Sequence, residues 1–125
     1  MKVMILEKEK TLQQSLSCFM EHYRKCEVFL AHSKKEGRSL FQAIPFDMIL
    51  CGDPLPDGNS LELLKEWVKE KPELISILMT VQGDERLRQE ALNSGIRGYL
   101  VKPFDLKQLE EAMEVGVKTL GEERR

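Results

Sequence analysis

Five short, mainly apolar segments recur along the chain, and a longer polar stretch with regularly spaced apolar residues follows each of them. The five segments cover residues 3–6, 27–31, 46–51, 74–79 and 98–101. Apolar runs of this length, bounded by polar or turn-forming residues, are typical of strands buried on both faces of a parallel sheet. The pattern therefore predicts five parallel strands in one sheet.

The stretches that follow the strands show the periodicity of helices. Their apolar residues recur every three or four positions, which places them on one face of a helix. The stripes of the first, third and last helix are Leu12, Leu16, Phe19, Met20 and Tyr23; Leu61, Leu64, Trp67 and Val68; and Leu106, Leu109, Met113, Val117 and Leu120.

Polar residues of the type that caps helix N-termini stand before four of these helices. They are Ser33, Asn59 or Ser60, Asp84 and Asp105. Strands that alternate with helices form right-handed βαβ units. We therefore expect an α/β fold, a three-layer α/β/α sandwich, and periodicity alone leaves its strand order open.

The segment after the third strand reads Gly-Asp-Pro-Leu-Pro-Asp-Gly over residues 52–58. These residue types end strands and form turns, so we expect the strand to stop at Cys51 and a loop to follow. Asp57 and Gly58 are explained by turn chemistry alone. Open parallel sheets build their sites at the carboxyl ends of their strands. Any binding or chemical site is therefore expected at this edge.

The charge balance, the length of the apolar runs and the cysteine spacing give no support for a nucleic-acid-binding, membrane-spanning or metal-binding protein. The chain has 19 basic and 21 acidic residues and a net charge of -2, which gives no electrostatic basis for binding nucleic acid or an anionic membrane. No apolar run approaches the roughly 20 residues of a membrane span, and we expect no signal peptide because the apolar run over residues 3–6 is too short for one. The three cysteines lack metal-type spacing. We expect one cytoplasmic domain over residues 1–120, with residues 121–125 as a polar tail or the start of a linker.

Residues after the third strand, at the end of the fourth, and along and after the fifth carry a resemblance to a known family. They are Leu55-Pro56 followed by Leu61-Glu62-Leu63-Leu64, then Thr80, and then Gly98-Tyr99-Leu100-Val101-Lys102-Pro103-Phe104. Through these residues, the chain from Lys2 to Leu120 resembles the receiver domain of two-component response regulators. The resemblance implies a flavodoxin-like sheet of order 2-1-3-4-5 and a cis peptide bond before Pro103.

The resemblance also implies a set of site residues. In such domains two acidic residues after the first strand hold Mg²⁺, and an aspartate at the end of the third strand accepts a phosphoryl group from a histidine kinase. A Thr or Ser and a Lys contact the phosphate. In this chain the acidic pair falls on Glu7 and Lys8 and the acceptor position on Gly52, whereas Thr80 and Lys102 are retained.

Two departures from this set predict a degenerate member, a pseudo-receiver. The ammonium of Lys8 cannot ligate Mg²⁺, and Gly52 has no side chain to phosphorylate. We expect a non-enzymatic module that needs no cofactor and acts through protein–protein contacts. The alternative is a working phosphoacceptor that uses Asp53 with Glu7 and Mg²⁺. Against it, a one-residue shift moves a side chain about 3.3 Å and turns it to the other face of the sheet.

Three further expectations concern the pocket. Lys102 should pair with Glu7 or Asp53, because a half-buried ammonium needs a partner. Lys8 should add a positive charge near Glu7 and Asp53 and complete a cluster of salt bridges. Because Gly52 faces the pocket, we expect Gly52→Asp to be much milder than Cys51→Asp, which would bury a charge.

The last expectation concerns partners. Tyr99 matches the aromatic residue that acts as a switch in receiver domains, and packing on one face of its strand is the simpler explanation. The resemblance implies recognition through the face of the fourth helix, fifth strand and fifth helix. The partner would be a histidine kinase, a C-terminal effector domain or a second copy of the chain.

Overall fold

The computed structural model describes residues 1–23 and 25–123, with side chains up to residue 118. The strands are β1 (Lys2–Leu6), β2 (Glu27–Ala31), β3 (Met48–Asp53), β4 (Ile75–Thr80) and β5 (Gly98–Val101). The helices are α1 (Lys10–Glu21), α2 (Lys34–Ala43), α3 (Ser60–Glu70), α4 (Glu85–Asn93) and α5 (Leu106–Glu123). The predicted alternation of five strands and five helices is confirmed.

The five strands form one parallel sheet of order β2-β1-β3-β4-β5. This confirms the order that the resemblance implied. One face of the sheet packs on α1 and α5, through residues such as Leu16 and Met113, and is called the first face. The second face packs on α2, α3 and α4, with Trp67 and Ala91 among its core residues. The central strands β1, β3 and β4 thus bring their carboxyl ends together.

Strand β3 continues two residues beyond its predicted end at Cys51. Gly52 pairs with Met79 and Asp53 with Thr80 in the parallel ladder with β4. The expectation of a loop at residue 52 was wrong, because β4 offers backbone partners as far as Thr80. Pro54 has no N–H to donate and follows the last paired residue. The peptide bonds Asp53–Pro54 and Lys102–Pro103 are both cis, and the resemblance had implied the second.

Asp57 has a structural role that its turn-forming character did not indicate. Its carboxylate accepts hydrogen bonds from the backbone N–H groups of Lys34 (2.7 Å) and Lys35 (3.0 Å) at the start of α2. These bonds from Lys34 and Lys35 lower the pKa of Asp57. An acceptor here satisfies donors that a helix leaves free at its N-terminus. Asp57 therefore ties the loop after β3 to α2.

We expect Asp57→Ala to lower the melting temperature, because two N–H groups of α2 lose their acceptor. The folded pKa of Asp57 lies below its unfolded value, so its contribution is present above the unfolded pKa and is lost as the pH falls through the folded pKa. Thermal melts at several acidic pH values check this. Asp57→Asn keeps one oxygen acceptor, so its melting temperature should lie between those of the parent chain and Asp57→Ala. Equal melting temperatures for the three proteins would contradict a structural role of Asp57.

The C-terminal helix differs in two respects from its prediction. Residues 121–123 belong to α5, whereas residues 121–125 were expected to form a tail. Residues 124 and 125 and the side chain of Leu120 lie outside the described part. Leu106 was predicted to face inward but is 49% exposed at the first position of the helix. Within the described residues, no helix is long and apolar enough to cross a membrane.

Candidate functional site

A buried ion pair lies at the carboxyl edge of the sheet on its first face. The ammonium of Lys102 donates to Oε1 of Glu7 at 2.8 Å, and the backbone N–H of Glu9 donates to Oε2 of Glu7 at 2.9 Å. The Glu7 side chain is fully buried and that of Lys102 is 10% exposed. Both oxygens of this carboxylate are therefore engaged. Of the two pairings considered for Lys102, the structure has the one with Glu7.

Gly52 lies against the carboxylate of Glu7. A Cβ atom built on Gly52 would lie 2.1 Å from Oε1 of Glu7 and 2.8 Å from its Cδ. These separations are far inside van der Waals contact, so any side chain at position 52 must displace Glu7. The carboxylate of Glu7, supplied by the end of β1, thus fills the space into which an acceptor side chain on β3 would project. The expectation that Gly52→Asp is mild has not been tested, and this overlap with a buried, ion-paired carboxylate leads us to expect a larger cost.

Lys8 takes no part in this arrangement. Its side chain is exposed, and none of the ion pairs among the described residues includes it. The predicted cluster of Lys8, Glu7 and Asp53 was wrong. Successive residues at a strand end point to opposite sides, so Glu7 turns inward and Lys8 turns out.

A chain of hydrogen bonds runs along the second face. The hydroxyl of Thr80, which is fully buried, donates to Oδ2 of Asp53 at 3.1 Å. The Thr80 oxygen in turn accepts the backbone N–H of Gln82 at 3.1 Å. The hydroxyl of Tyr99 donates to the carbonyl of Gln82. Asp53 is thereby connected through the loop after β4 to the aromatic ring on β5.

The sheet separates the predicted pocket residues into two groups. Gly52 and Asp53 are consecutive in β3, so they face opposite sides. Gly52 lies with Glu7 and Lys102 on the first face, and Asp53 lies with Thr80 on the second. That all of these residues form one pocket at the carboxyl edge of the sheet stays a prediction.

Burial changes the protonation chemistry of two side chains near this edge. Desolvation raises the pKa of the Cys51 thiol to about 12, so the thiol stays protonated near neutral pH and is a poor nucleophile. Burial, followed by the nearby charge of Asp84, raises the pKa of Tyr99. Its hydroxyl therefore remains a hydrogen-bond donor to Gln82 near neutral pH.

The donor groups do not fit the Mg²⁺ ion that the family implies. Mg²⁺ requires oxygen ligands in near-octahedral geometry. The two carboxylate oxygens of Glu7 already accept hydrogen bonds from Lys102 and from the backbone of Glu9. Lys8 has an ammonium group, which cannot bind a cation, and Gly52 has no side chain. Among the residues that the structure describes, no group of three or more His, Cys, Asp or Glu side chains is placed to hold a metal.

The sequence model of the family described as "Response regulator receiver domain" matches residues 3–114. The chain belongs to the response regulator receiver domain family. This receiver domain is 37% identical over 112 residues to the transcriptional regulatory protein CrdR of Helicobacter pylori, a match that covers 87% of the chain and 51% of CrdR. It is 28% identical over 117 residues to the response regulator protein PilR of Pseudomonas aeruginosa, covering 94% of the chain and 26% of PilR.

The chain thus spans about half the length of CrdR and about a quarter of PilR. Solved structures are similar over nearly all of the receiver domain. A CheY-like receiver domain protein of Methanospirillum hungatei gives a TM-score of 0.86 at 24% identity, covering 98% of this chain and 97% of that one. The non-phosphorylated HemR receiver domain of Leptospira biflexa gives 0.84 at 26% identity, with 93% of each chain covered.

Proposed function

We propose that this receiver domain is a protein-binding module of two-component signal transduction that acts without being phosphorylated. The observation that carries the proposal is the position of the Glu7 carboxylate. It lies where a side chain on Gly52 would project, and it occupies the ammonium of Lys102. The charge that Lys102 would offer to a phosphate is already neutralised by a residue of the chain itself.

The physical argument rests on what phosphoryl transfer requires. The reaction depends on a positioned nucleophile and on neutralisation of developing charge. Gly52 supplies no nucleophile, and no group of three or more His, Cys, Asp or Glu side chains in the described part of the chain is placed to hold a metal. A ligand shifts a two-state equilibrium only if it binds the two states differently. Without a phosphoryl group in the pocket, we expect one dominant conformation.

The partner-binding surface is assigned to α4, β5 and α5. Exposed apolar side chains on two of these elements support it: Val101 on β5 is 41% exposed and Val115 on α5 is 59% exposed. Tyr99 on β5 is connected to the site through Gln82. The partner is a histidine kinase, an effector domain of a longer protein or a second copy of the receiver domain, in the cytoplasm.

A second candidate function has one observation in its favour. The hydroxyl of Thr80, at the phosphate-contacting position of the family, bonds to Asp53 at 3.1 Å. Asp53 would then be a phosphoacceptor shifted by one residue. It would have to recruit Glu7 and Mg²⁺ from the opposite face of β3, where Glu7 is paired with Lys102.

Incubation with acetyl phosphate and Mg²⁺, followed by intact mass measurement, distinguishes the two functions. We expect neither the mass nor the amide chemical shifts to change, because position 52 has no carboxylate. A receiver domain with a complete acidic site serves as the positive control. A gain of one phosphoryl group that disappears in Asp53→Asn would contradict the proposal and establish the second candidate.

A further inference from the structure

A small cleft opens between α3 and α4 on the second face, at the end of β3. Its volume is about 310 Å³. Leu61, Leu78 and Leu87 supply its apolar wall, and Asp53, Asn59 and Gln82 supply polar groups. Asp53 is the only charged residue among the described residues that line it. The cleft therefore combines one negative charge with a hydrocarbon surface.

The carboxylate of Asp53 has no cationic partner in the part of the chain that the structure describes. Among the described residues, no Lys, Arg or His lies within ion-pairing distance of it. The Thr80 hydroxyl holds Oδ2 in place, and Oδ1 accepts no hydrogen bond from the part of the chain that is described. Glu7 differs in this respect, because both of its carboxylate oxygens accept hydrogen bonds. A half-buried carboxylate beside apolar side chains is stabilised by a cation that enters with it.

We propose that this cleft receives an arginine side chain of a protein partner. The inference rests on the proposed function, since it adds to the surface of α4, β5 and α5 one contact with the partner, at a cleft that borders this surface through Leu87 of α4. The volume lies at the lower end of the range of about 300–1,000 Å³ for small-molecule pockets, which suits a single side chain. The aliphatic stem would pack on the leucines while the charged group meets Asp53.

Arginine fits this set of groups better than lysine does. The guanidinium is a planar fork with five donors and is favoured in ion pairs at interfaces. It can bond to Oδ1 of Asp53 and still has N–H groups left for a second oxygen acceptor. Gln82 lines the cleft and carries a side-chain amide oxygen, whereas the amide oxygen of Asn59 already accepts the backbone N–H of Glu62 at the start of α3. The ammonium of lysine is more strongly hydrated and lacks this fork, so its binding should be weaker.

NMR titration with Nα-acetyl-arginine amide tests the proposal on the intact chain. We expect saturable amide shifts that cluster at Asp53, Asn59, Leu61 and Leu87 and that weaken with added salt. Nα-acetyl-citrulline amide has nearly the same shape without the charge and should bind about tenfold more weakly. The lysine derivative should fall between them. Equal binding of arginine and citrulline derivatives, or no saturable shifts at the cleft, would overturn the proposal.

Two variants separate the cleft from general charge attraction. Asp53→Asn keeps an acceptor for Thr80 but removes the charge, and it should abolish the preference for arginine over citrulline. Glu62→Gln removes the same charge from an exposed position on α3 and should leave that preference intact. A preference that survives Asp53→Asn would contradict the assignment. Failure here is distinguishable from failure of the proposed function, which the phosphodonor mass measurement tests separately.

Discussion

Glu7→Ala should lower the free energy of unfolding by about 3–5 kcal/mol, the usual cost of removing one partner from a buried ion pair. The reason is that the ammonium of Lys102, with 10% of its side chain exposed, would lose the only carboxylate that binds it among the described residues. The backbone N–H of Glu9 would lose its acceptor as well. Urea denaturation of the variant and the parent measures the difference.

Two further variants make this prediction specific. Glu7→Gln keeps the volume beside Gly52 and an oxygen for Lys102, so it should cost less than Glu7→Ala. Lys8→Ala alters the neighbouring residue, whose side chain is exposed and unpaired among the described residues, and should change stability little. If Glu7→Ala and Lys8→Ala were equally mild, the ion pair between Glu7 and Lys102 would not contribute to stability as we predict.

Gly52→Asp should be the second large effect, with a loss of about 3 kcal/mol, at the upper end of the cost of overpacking a core. Its Cβ would overlap Oε1 of Glu7, and its carboxylate would place a second negative charge beside one ammonium. Gly52→Ala introduces the same overlap without the charge and should cost less. Urea denaturation of both variants measures the two contributions separately.

The result would contradict our account if Gly52→Asp were as stable as the parent chain. That outcome would mean that Glu7 moves out of the site at little cost and that the pocket readily admits an acceptor side chain. If Gly52→Asp alone gained one phosphoryl group, this would likewise show that the pocket readily admits an acceptor side chain.

Much of the fold could be predicted because its signals are local. Apolar runs and helical periodicity located every element, and Ser33, Asn59, Asp84 and Asp105 accept the N-terminal backbone hydrogen bonds expected of caps. The strand order came from the resemblance, since periodicity carries no information about which strands are neighbours. The end of β3 was misplaced because residues of low strand propensity remain paired when the adjacent strand offers a ladder.

The arrangement of the site depends on contacts that sequence patterns do not display. Glu7 and Gly52 are far apart along the chain, and only the register of β1 against β3 shows that one fills the space beside the other. A signal was present in the sequence: directly after β1 stands Glu7, one methylene longer than an aspartate, and the acceptor position on β3 is Gly52, which has no side chain. Asp57 likewise caps α2 from a distant loop, a contact that local turn chemistry does not reveal.

The stability of the double variant Glu7→Ala/Gly52→Asp tests the central claim most directly. If Glu7 stands in the place of the acceptor carboxylate, Gly52→Asp should destabilise the parent chain but stabilise Glu7→Ala, because the new aspartate would supply Lys102 with a carboxylate. A double-mutant cycle in urea measures this coupling. We predict that the double variant is more stable than Glu7→Ala alone. Simple additivity, with the double variant the least stable of the four proteins, would contradict the claim.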